Sequence, residues 1–211
     1  MSDILGRISE QLQKGKAKDV VELVSQAMAE GIGPTVILED GLLAGMGVIG
    51  EKFKNNEVFV PEVLVAARAM NKGVEVLKPA LTAEGAKARG IAVIGTVKGD
   101  LHDIGKNLVR MMMEGKGIEM VDLGVDVSPE QFVAAAREHG ATIICCSALL
   151  TTTMGEMKSV VDLVRSEGLA VKVMVGGAPV TQSFCESIGA DCYTADAASA
   201  ADAALAFCES A

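Results

Sequence analysis

The segment "GIAVIGTVKGDLHDIGKNLVRMMMEGKGIEMVDLGV", residues 90–125, decides the fold. It opens on a short apolar run, "GIAVIGTV", passes through a polar loop holding Asp100, His102 and Asp103, and continues as a helix-like stretch from Asp103 to Gly115. A second apolar run, "GIEMVDLGV", comes next. The same alternation continues through "ATIICCSALL", "AVKVMVGGAP" and "ADCYTAD", with helix-like stretches over 129–140, 153–168, 181–189 and 197–210. Short apolar strands alternating five times with helices predict an open parallel α/β sheet with helices on both faces. Five strands suit the Rossmann-like, flavodoxin-like order 2-1-3-4-5, in which a ligand binds at the carboxyl ends of the strands near the switch point between strands 1 and 3.

Residues 1–84 have a different grammar. "DILGRISEQLQ" sets Ile4, Leu5, Ile8 and Leu12 on one helical face, and "AKDVVELVSQAMAEG" repeats the pattern before Gly31. "GPTVILEDGLLAGMGVIGEKF" and "VPEVLVAARAMNKGVEVLKPAL" each open with a proline suited to a first helical turn, and the second is expected to end near Pro79. Four amphipathic helices with short connections predict a four-helix bundle. Gly41, Gly45, Gly47 and Gly50 weaken the third helix, which calls for close helix approach or for access to a ligand. "TAEGAKARG", residues 82–90, is small, polar and charged and holds the linker, placed at 85–90, so that the sheet domain covers 91–211.

Composition narrows the function. Half of the 211 residues are hydrophobic but only 3% are aromatic, so aliphatic side chains and methionine fill the core. Lys plus Arg number 19 against 28 Asp plus Glu, a net charge of -9 that argues against nucleic-acid binding. No run approaches the ~18 apolar residues of a membrane span, and the N-terminus lacks a signal-peptide core, so a cytoplasmic protein is expected. Five cysteines without CxxC spacing fit neither a disulfide framework nor a structural zinc site and read as buried thiols.

Three polar clusters converge on the strand ends. The first holds Asp100, His102, Asp103, Ile104 and Gly105. One ring nitrogen of His102 could bind a metal while a carboxylate two residues away orients the other; equally, the segment could be a capping loop with a solvated histidine. The second cluster, "SALLTTT", offers Ser147, Leu149, Thr151 and Thr153, with Thr152 or Thr153 expected to cap the next helix. The third, Gly176 and Gly177, leaves room for a bulky group or simply makes a turn. Neither a GxxxxGK[ST] nor a GxGxxG phosphate motif is present, and few aromatics are available to stack on a flavin. His139, before Gly140, reads as a residue at a helix C-terminus.

Taken together, D-x-H-x-x-G in "GDLHDIG", S-x-L in "SALL" and the later "GG" resemble the cobalamin-binding module of cobalamin-dependent methionine synthase. In layout the chain is more similar still to the free-standing corrinoid proteins of methanogen and acetogen methyltransferase systems. The resemblance covers nearly the whole chain. It implies cobalamin or a related corrinoid, cycling between methylcobalamin and Co(I) forms and bound base-off. His102 is then the lower axial cobalt ligand, Asp100 accepts from its other nitrogen, and Thr153 supplies the relay hydroxyl where methionine synthase has a serine. The resemblance also implies a nucleotide channel lined by Ser147, Leu149 and Thr151, with Gly176 and Gly177 giving room for the tail and Tyr193 and Asp196 near it. Phe53 and Val60 match the pair that shields the upper face; Phe59 between them reads equally as core. Asp103 is then the cap of the following helix.

The function this implies is a methyl carrier without catalysis of its own. It would serve a substrate-specific methyltransferase and a second methyltransferase acting on tetrahydrofolate or coenzyme M, and a reductive activase would restore it after oxidation. A cobalamin-dependent sensor is the alternative, but such proteins join the module to a DNA-binding helix-turn-helix, and the acidic charge and the start on the cap helices argue against it. Small mutase subunits resemble only residues 90–211, and a receiver domain would need an Asp where strand 3 ends in Ser147.

Overall fold

The computed structural model describes residues 3–85 and 87–210, which fall into two compact units, Met1–Lys87 and Ala88–Ala211. The first unit is helical. Helix α1 covers Asp3–Gln13, α2 covers Ala17–Ala29 and α5 covers Val60–Glu84. Between α2 and α5 one continuous rod is built from α3 (Pro34–Val36), a π-helical segment (Ile37–Leu43) and α4 (Ala44–Lys54), its junction residues Ile37 and Ala44 keeping right-handed helical angles. The bundle core is the apolar stripe read from the sequence: Ile4, Ile8, Leu12, Val20, Val24, Ile37, Leu42, Met46, Met70 and Leu77 are all buried.

The glycines divide into two kinds. A Cβ at Gly45 would lie 3.0 Å from Ser9 Cα, and one at Gly41 would lie 3.2 Å from Ile8 Cγ2, so both permit the rod to approach α1 closely. At Gly47 and Gly50 no atom of the bundle lies within 4 Å of that position. The π-helical turns were not foreseen, because apolar spacing of three to four residues does not distinguish them from an α-helix.

Helix α5 does not stop near Pro79. It runs on to Glu84 and ends at Gly85, whose φ of 68° is the left-handed conformation of a helix C-cap. The proline removes one ladder bond, but the turns beyond it are tied back to α3: Thr35 Oγ1 donates to Glu84 Oε2 at 2.9 Å. Thr82–Glu84 are therefore helix and Gly90 is already strand, which trims the polar connection from both ends.

The second unit is the doubly wound sheet. Its strands are β1 (Gly90–Thr96), β2 (Ile118–Asp122), β3 (Ile143–Ser147), β4 (Lys172–Gly176) and β5 (Cys192–Tyr193). All pair parallel in the order β2-β1-β3-β4-β5. Helices α6 (Ile104–Glu114) and α10 (Ala197–Glu209) pack together on one face, and α7 (Pro129–His139) and α8 (Gly155–Ser166) cover the other, with α9 (Gln182–Ile188) beside α8. Side-chain caps start three of them: Ser128 and Gln131 form a reciprocal capping box, Thr181 accepts from Phe184 N–H, and Asp196 accepts from Ser199 N–H.

Strand register aligns the ends of the central strands. Thr96 is level with Ser147, and Ser147 with Gly176, so the loops leaving β1, β3 and β4 depart from one rim. Lys106 on α6 is buried and ion-paired to Asp122 at the end of β2, and this fixes the helix beyond the histidine loop. Burial alone raises the Asp122 carboxyl pKa; the Lys106 hydrogen bond, the Gly124 N–H and the nearby Lys106 and Arg110 charges more than offset this and hold it below the usual range.

Phe132 of α7 is fully buried in the sheet core, and a Cβ at Gly95 would sit 2.8 Å from its ring. Replacing Phe132 with Ala is expected to cost about 3–5 kcal/mol, seen as a lower urea midpoint of the sheet unit; a loss under about 1 kcal/mol would contradict this packing.

Candidate functional site

The site grows from the end of β1. Val97 still pairs on both sides, donating to Ser147 C=O at 3.0 Å and bridging to Val127. The chain then turns: Asp100 N–H donates to Val97 C=O at 3.1 Å, and Gly99 takes φ 81°, the positive angle such a tight turn requires of its third residue. This turn carries Asp100 inward, where it is 0% exposed.

A buried carboxylate must be saturated with donors, and Asp100 is. Oδ1 accepts from His102 N–H at 3.1 Å and from the His102 ring at Nδ1, 2.8 Å away. Oδ2 accepts from the N–H groups of Leu149 and Leu150, at 2.8 and 3.1 Å, and from Thr153 Oγ1 at 3.0 Å. Burial by itself raises the Asp100 pKa. The Leu149 N–H, the His102 ring and the N–H groups of His102 and Leu150 together overcome it and hold the carboxyl far below the usual carboxylate range. Asp100 is therefore ionised at neutral pH and can only accept.

That settles the histidine's tautomer. With Asp100 an obligate acceptor, Nδ1 carries the proton and Nε2 of the neutral ring presents its lone pair. The imidazole side chain is 52% exposed, and Thr96 Oγ1 fixes the loop from beneath by donating to His102 C=O at 2.8 Å.

Thr153 does not cap α8. The N-cap position belongs to Met154 and has no side-chain hydrogen bond. Instead Thr153 is buried, with its hydroxyl in reach of Asp100 Oδ2 and of Leu150 C=O, 2.9 Å away. One hydroxyl proton serves one acceptor at a time, so the residue can switch between them. Its methyl lies 3.5 Å from where a Cβ on Gly99 would be. Asp103 stands at the N-cap of α6, but its carboxylate makes no backbone cap bond; it accepts from Asn107 Nδ2 at 3.0 Å.

The other candidates of the sheet unit lie at the start of α6 and around the ends of β3, β4 and β5. Ile104 is 80% exposed, and a Cβ on Gly105 or Gly176 would meet nothing within 4 Å. Gly177 is the opposite case: at φ 131° its Cβ would lie 1.8 Å from Ala148 O, so it must be glycine. Ser147 ends β3 half-buried, and Leu149 and Thr151 are exposed. Tyr193 ends β5 half-buried against the sheet core, and both carboxylate oxygens of Asp196 are engaged by Ser199. Phe53 and Val60 are half-buried in the helical unit. Phe59 is not core: it is 64% exposed, because it precedes α5 in extended conformation, its N–H donating to Glu62 Oε2.

Five residues were missed: Leu101, Leu150, Thr96, Lys106 and Asp126. Leu101 is 71% exposed and, with exposed Ile104, Leu149 and Leu150, leaves apolar side chains on the loop that carries His102 and on the loop that holds Asp100. Apolar residues inside a loop otherwise made of Gly, Asp and His were the signal for Leu101. Thr96, Lys106 and Asp126 gave none, since each looks like an ordinary polar residue near a strand or helix end.

The donor set limits what binds. Burial pushes the Cys145 thiol up to about 12, with Cys192 and Cys208 adding to it, and burial raises Cys146 as well, so neither offers a thiolate. Among the described residues no group of three or more His, Cys, Asp or Glu side chains could hold a metal. A single imidazole nitrogen among loops bearing exposed apolar side chains suits a metal that brings its other ligands in a macrocycle, not a bare ion. The open positions over Gly105 and Gly176 give such a group room.

Residues 90–206 match a family model described as a B12 binding domain, and residues 4–78 match a second model of that description. The chain is 43% identical over 205 residues to dimethylamine corrinoid protein 3 of Methanosarcina acetivorans, covering 95% of this chain and 96% of that protein. It is 43% identical over 191 residues to trimethylamine corrinoid protein 1 of Methanosarcina mazei, covering 84% and 88%. Among solved structures, it superposes on a chain of the methanol:cobalamin methyltransferase complex MtaBC from Methanosarcina barkeri with a TM-score of 0.90 and 32% identity, over 100% of this chain and 81% of that one. A cobalamin-binding protein from Desulfitobacterium hafniense matches with a TM-score of 0.80 and 31% identity, over 98% of this chain and 99% of that one.

Two outcomes are expected of the ligand-free protein. Gly177→Ala should lower the thermal midpoint by several degrees, and Gly176→Ala should leave it unchanged; equal effects would contradict the geometry of this turn. The second concerns acid. The Asp100 carboxyl binds a proton near pH ~4 when unfolded and only well below that when folded, so its contribution is complete above that pH and is lost as pH falls toward the folded value. Urea midpoints at pH 3 and pH 6 should therefore differ less in Asp100→Asn than in the unaltered protein.

Proposed function

The chain belongs to the B12-binding corrinoid proteins of methyltransferase systems, and from that membership we propose that it is a methyl carrier whose corrinoid is bound base-off with His102 as lower axial ligand. The observation that carries the ligation is the network around Asp100: a buried, ionised carboxylate that holds the ring proton on Nδ1 and leaves Nε2 free. Bound, the corrinoid supplies a cobalt centre able to accept a methyl group from one donor and release it to another.

The protein's own residues then have distinct tasks. His102 Nε2 would hold the metal, and Asp100, accepting at Nδ1, would fix the ring's tautomer and orientation for it. Thr153 donates to Asp100 or turns to Leu150 C=O. Leu101, Ile104, Leu149 and Leu150 exclude water beneath the macrocycle. The displaced nucleotide tail is assigned to the side of the sheet formed by Ser147, Leu149, Thr151, Gly176, Gly177, Tyr193 and Asp196. In the helical unit, Phe53 and Val60 are assigned to shielding the methyl-bearing face.

On this reading the partners are a substrate-specific methyltransferase, a second methyltransferase acting on tetrahydrofolate or coenzyme M, and a reductive activase, all in the cytoplasm. The dimethylamine and trimethylamine corrinoid proteins among the relatives make methylamines the first donors to test.

Reconstitution with a corrinoid under anaerobic conditions tests the ligation. In the Co(II) form an axial nitrogen splits each cobalt line of the EPR spectrum in three. The unaltered protein should show that splitting and His102→Ala should lose it; an unchanged spectrum would sink the His102 assignment. Gly176→Ala, stable without ligand, should weaken corrinoid binding about tenfold or more, because its Cβ would fill room left for the nucleotide tail. Methyl transfer is then read with methylamines and methanol as donors, each with its own methyltransferase.

A further inference from the structure

We infer that Asp126, on the loop between β2 and α7, is a positioning residue that holds the histidine loop in place for axial ligation. This rests on the corrinoid reading above.

Asp126 has φ 56°, a left-handed conformation that strains a residue with a Cβ. Aspartate tolerates it better than most, but the residue is exposed and packs into no core that would force it there. What the conformation achieves is a two-point grip on the turn carrying Asp100. Oδ1 accepts from Gly99 N–H at 2.7 Å, and the Asp126 N–H donates to Asp100 C=O at 3.0 Å. One residue thus holds two consecutive residues of the turn, one through its side chain and one through its main chain.

The other supports of the loop act elsewhere. Leu149, Leu150 and Thr153 hold the Asp100 carboxylate, and Thr96 holds the His102 carbonyl. The Asp126 side chain meets the main chain at Gly99, the hinge where the turn leaves β1. The Asp100 carboxylate can point the imidazole correctly only if its own backbone stays in place, and a site of this kind tolerates displacement of roughly 0.5 Å. The fold itself does not need the Asp126 carboxylate. Val127 beside it is buried, donates to Thr96 C=O at 3.0 Å and bridges to Val97, so the loop keeps its course without it.

Two variants separate grip from strain and from charge. Asp126→Gly relieves the left-handed backbone but removes the acceptor; Asp126→Asn keeps an Oδ1 acceptor and removes the charge. In the ligand-free protein, amide exchange at Gly99 should speed up about tenfold in Asp126→Gly and stay within about threefold in Asp126→Asn, because exchange depends on loss of the hydrogen bond. In the Co(II) corrinoid form, Asp126→Gly should lose part of the axial-nitrogen splitting and bind corrinoid about tenfold more weakly, with Asp126→Asn close to the unaltered protein. If Asp126→Gly matches the unaltered protein in both exchange and splitting, the inference is overturned. If Asp126→Asn fails together with Asp126→Gly, charge and not the grip is responsible, and it is overturned again. If His102→Ala itself keeps the splitting, the ligation reading fails, and the Gly99 exchange still reports separately whether Asp126 grips the turn.

Discussion

The site depends on a carboxylate that has no contact with solvent. Asp100 is drawn under the rim by the turn at Gly99 and accepts from five donors supplied by two loops. An ionised group in that position would be costly to bury without them. With them it becomes a fixed negative point joining the ends of β1 and β3. The histidine takes both its orientation and its tautomer from this arrangement, through the single bond from its Nδ1 to the fixed carboxylate.

The sheet makes such a junction possible. Because Thr96, Ser147 and Gly176 lie level in adjacent strands, their loops leave the sheet side by side. The histidine loop lies between the β2–α7 loop, which grips it at Gly99 and Asp100, and the β3–α8 loop, which holds its carboxylate. Gly177 is obligatory because its backbone passes against Ala148 O. Beside it Gly176 is unencumbered, so adjacent glycines have opposite duties, one serving the fold and the other leaving room for a ligand.

The chemistry arises from scarcity. The chain offers one oriented imidazole at the rim, its buried thiols are kept protonated, and apolar side chains stand exposed on the loops that carry the ring and hold its carboxylate. Such a site can complete the coordination of a metal already held in a macrocycle and can release it again.

The apolar periodicity of the sequence by itself determined the two architectures and nearly all helix positions, because burial in a bundle and in a parallel sheet imposes different repeats that local composition records. The motifs D-x-H-x-x-G and S-x-L, taken together through their resemblance to cobalamin-binding modules, marked Asp100, His102 and Thr153. The motifs already assigned Asp100 to the histidine and Asp103 to the start of the helix; the tertiary structure supplied the physical reason. Asp100 and Asp103 look like twins around one histidine, and burial against donors from the β3–α8 loop, 49 residues away at Leu149, distinguishes them. Tertiary contacts likewise carried α5 past Pro79, moved Thr153 from a helix cap to the Asp100 network, buried Lys106 and brought Asp126 to the turn. Each of these depends on a partner distant in sequence, and local pattern holds no record of that distance.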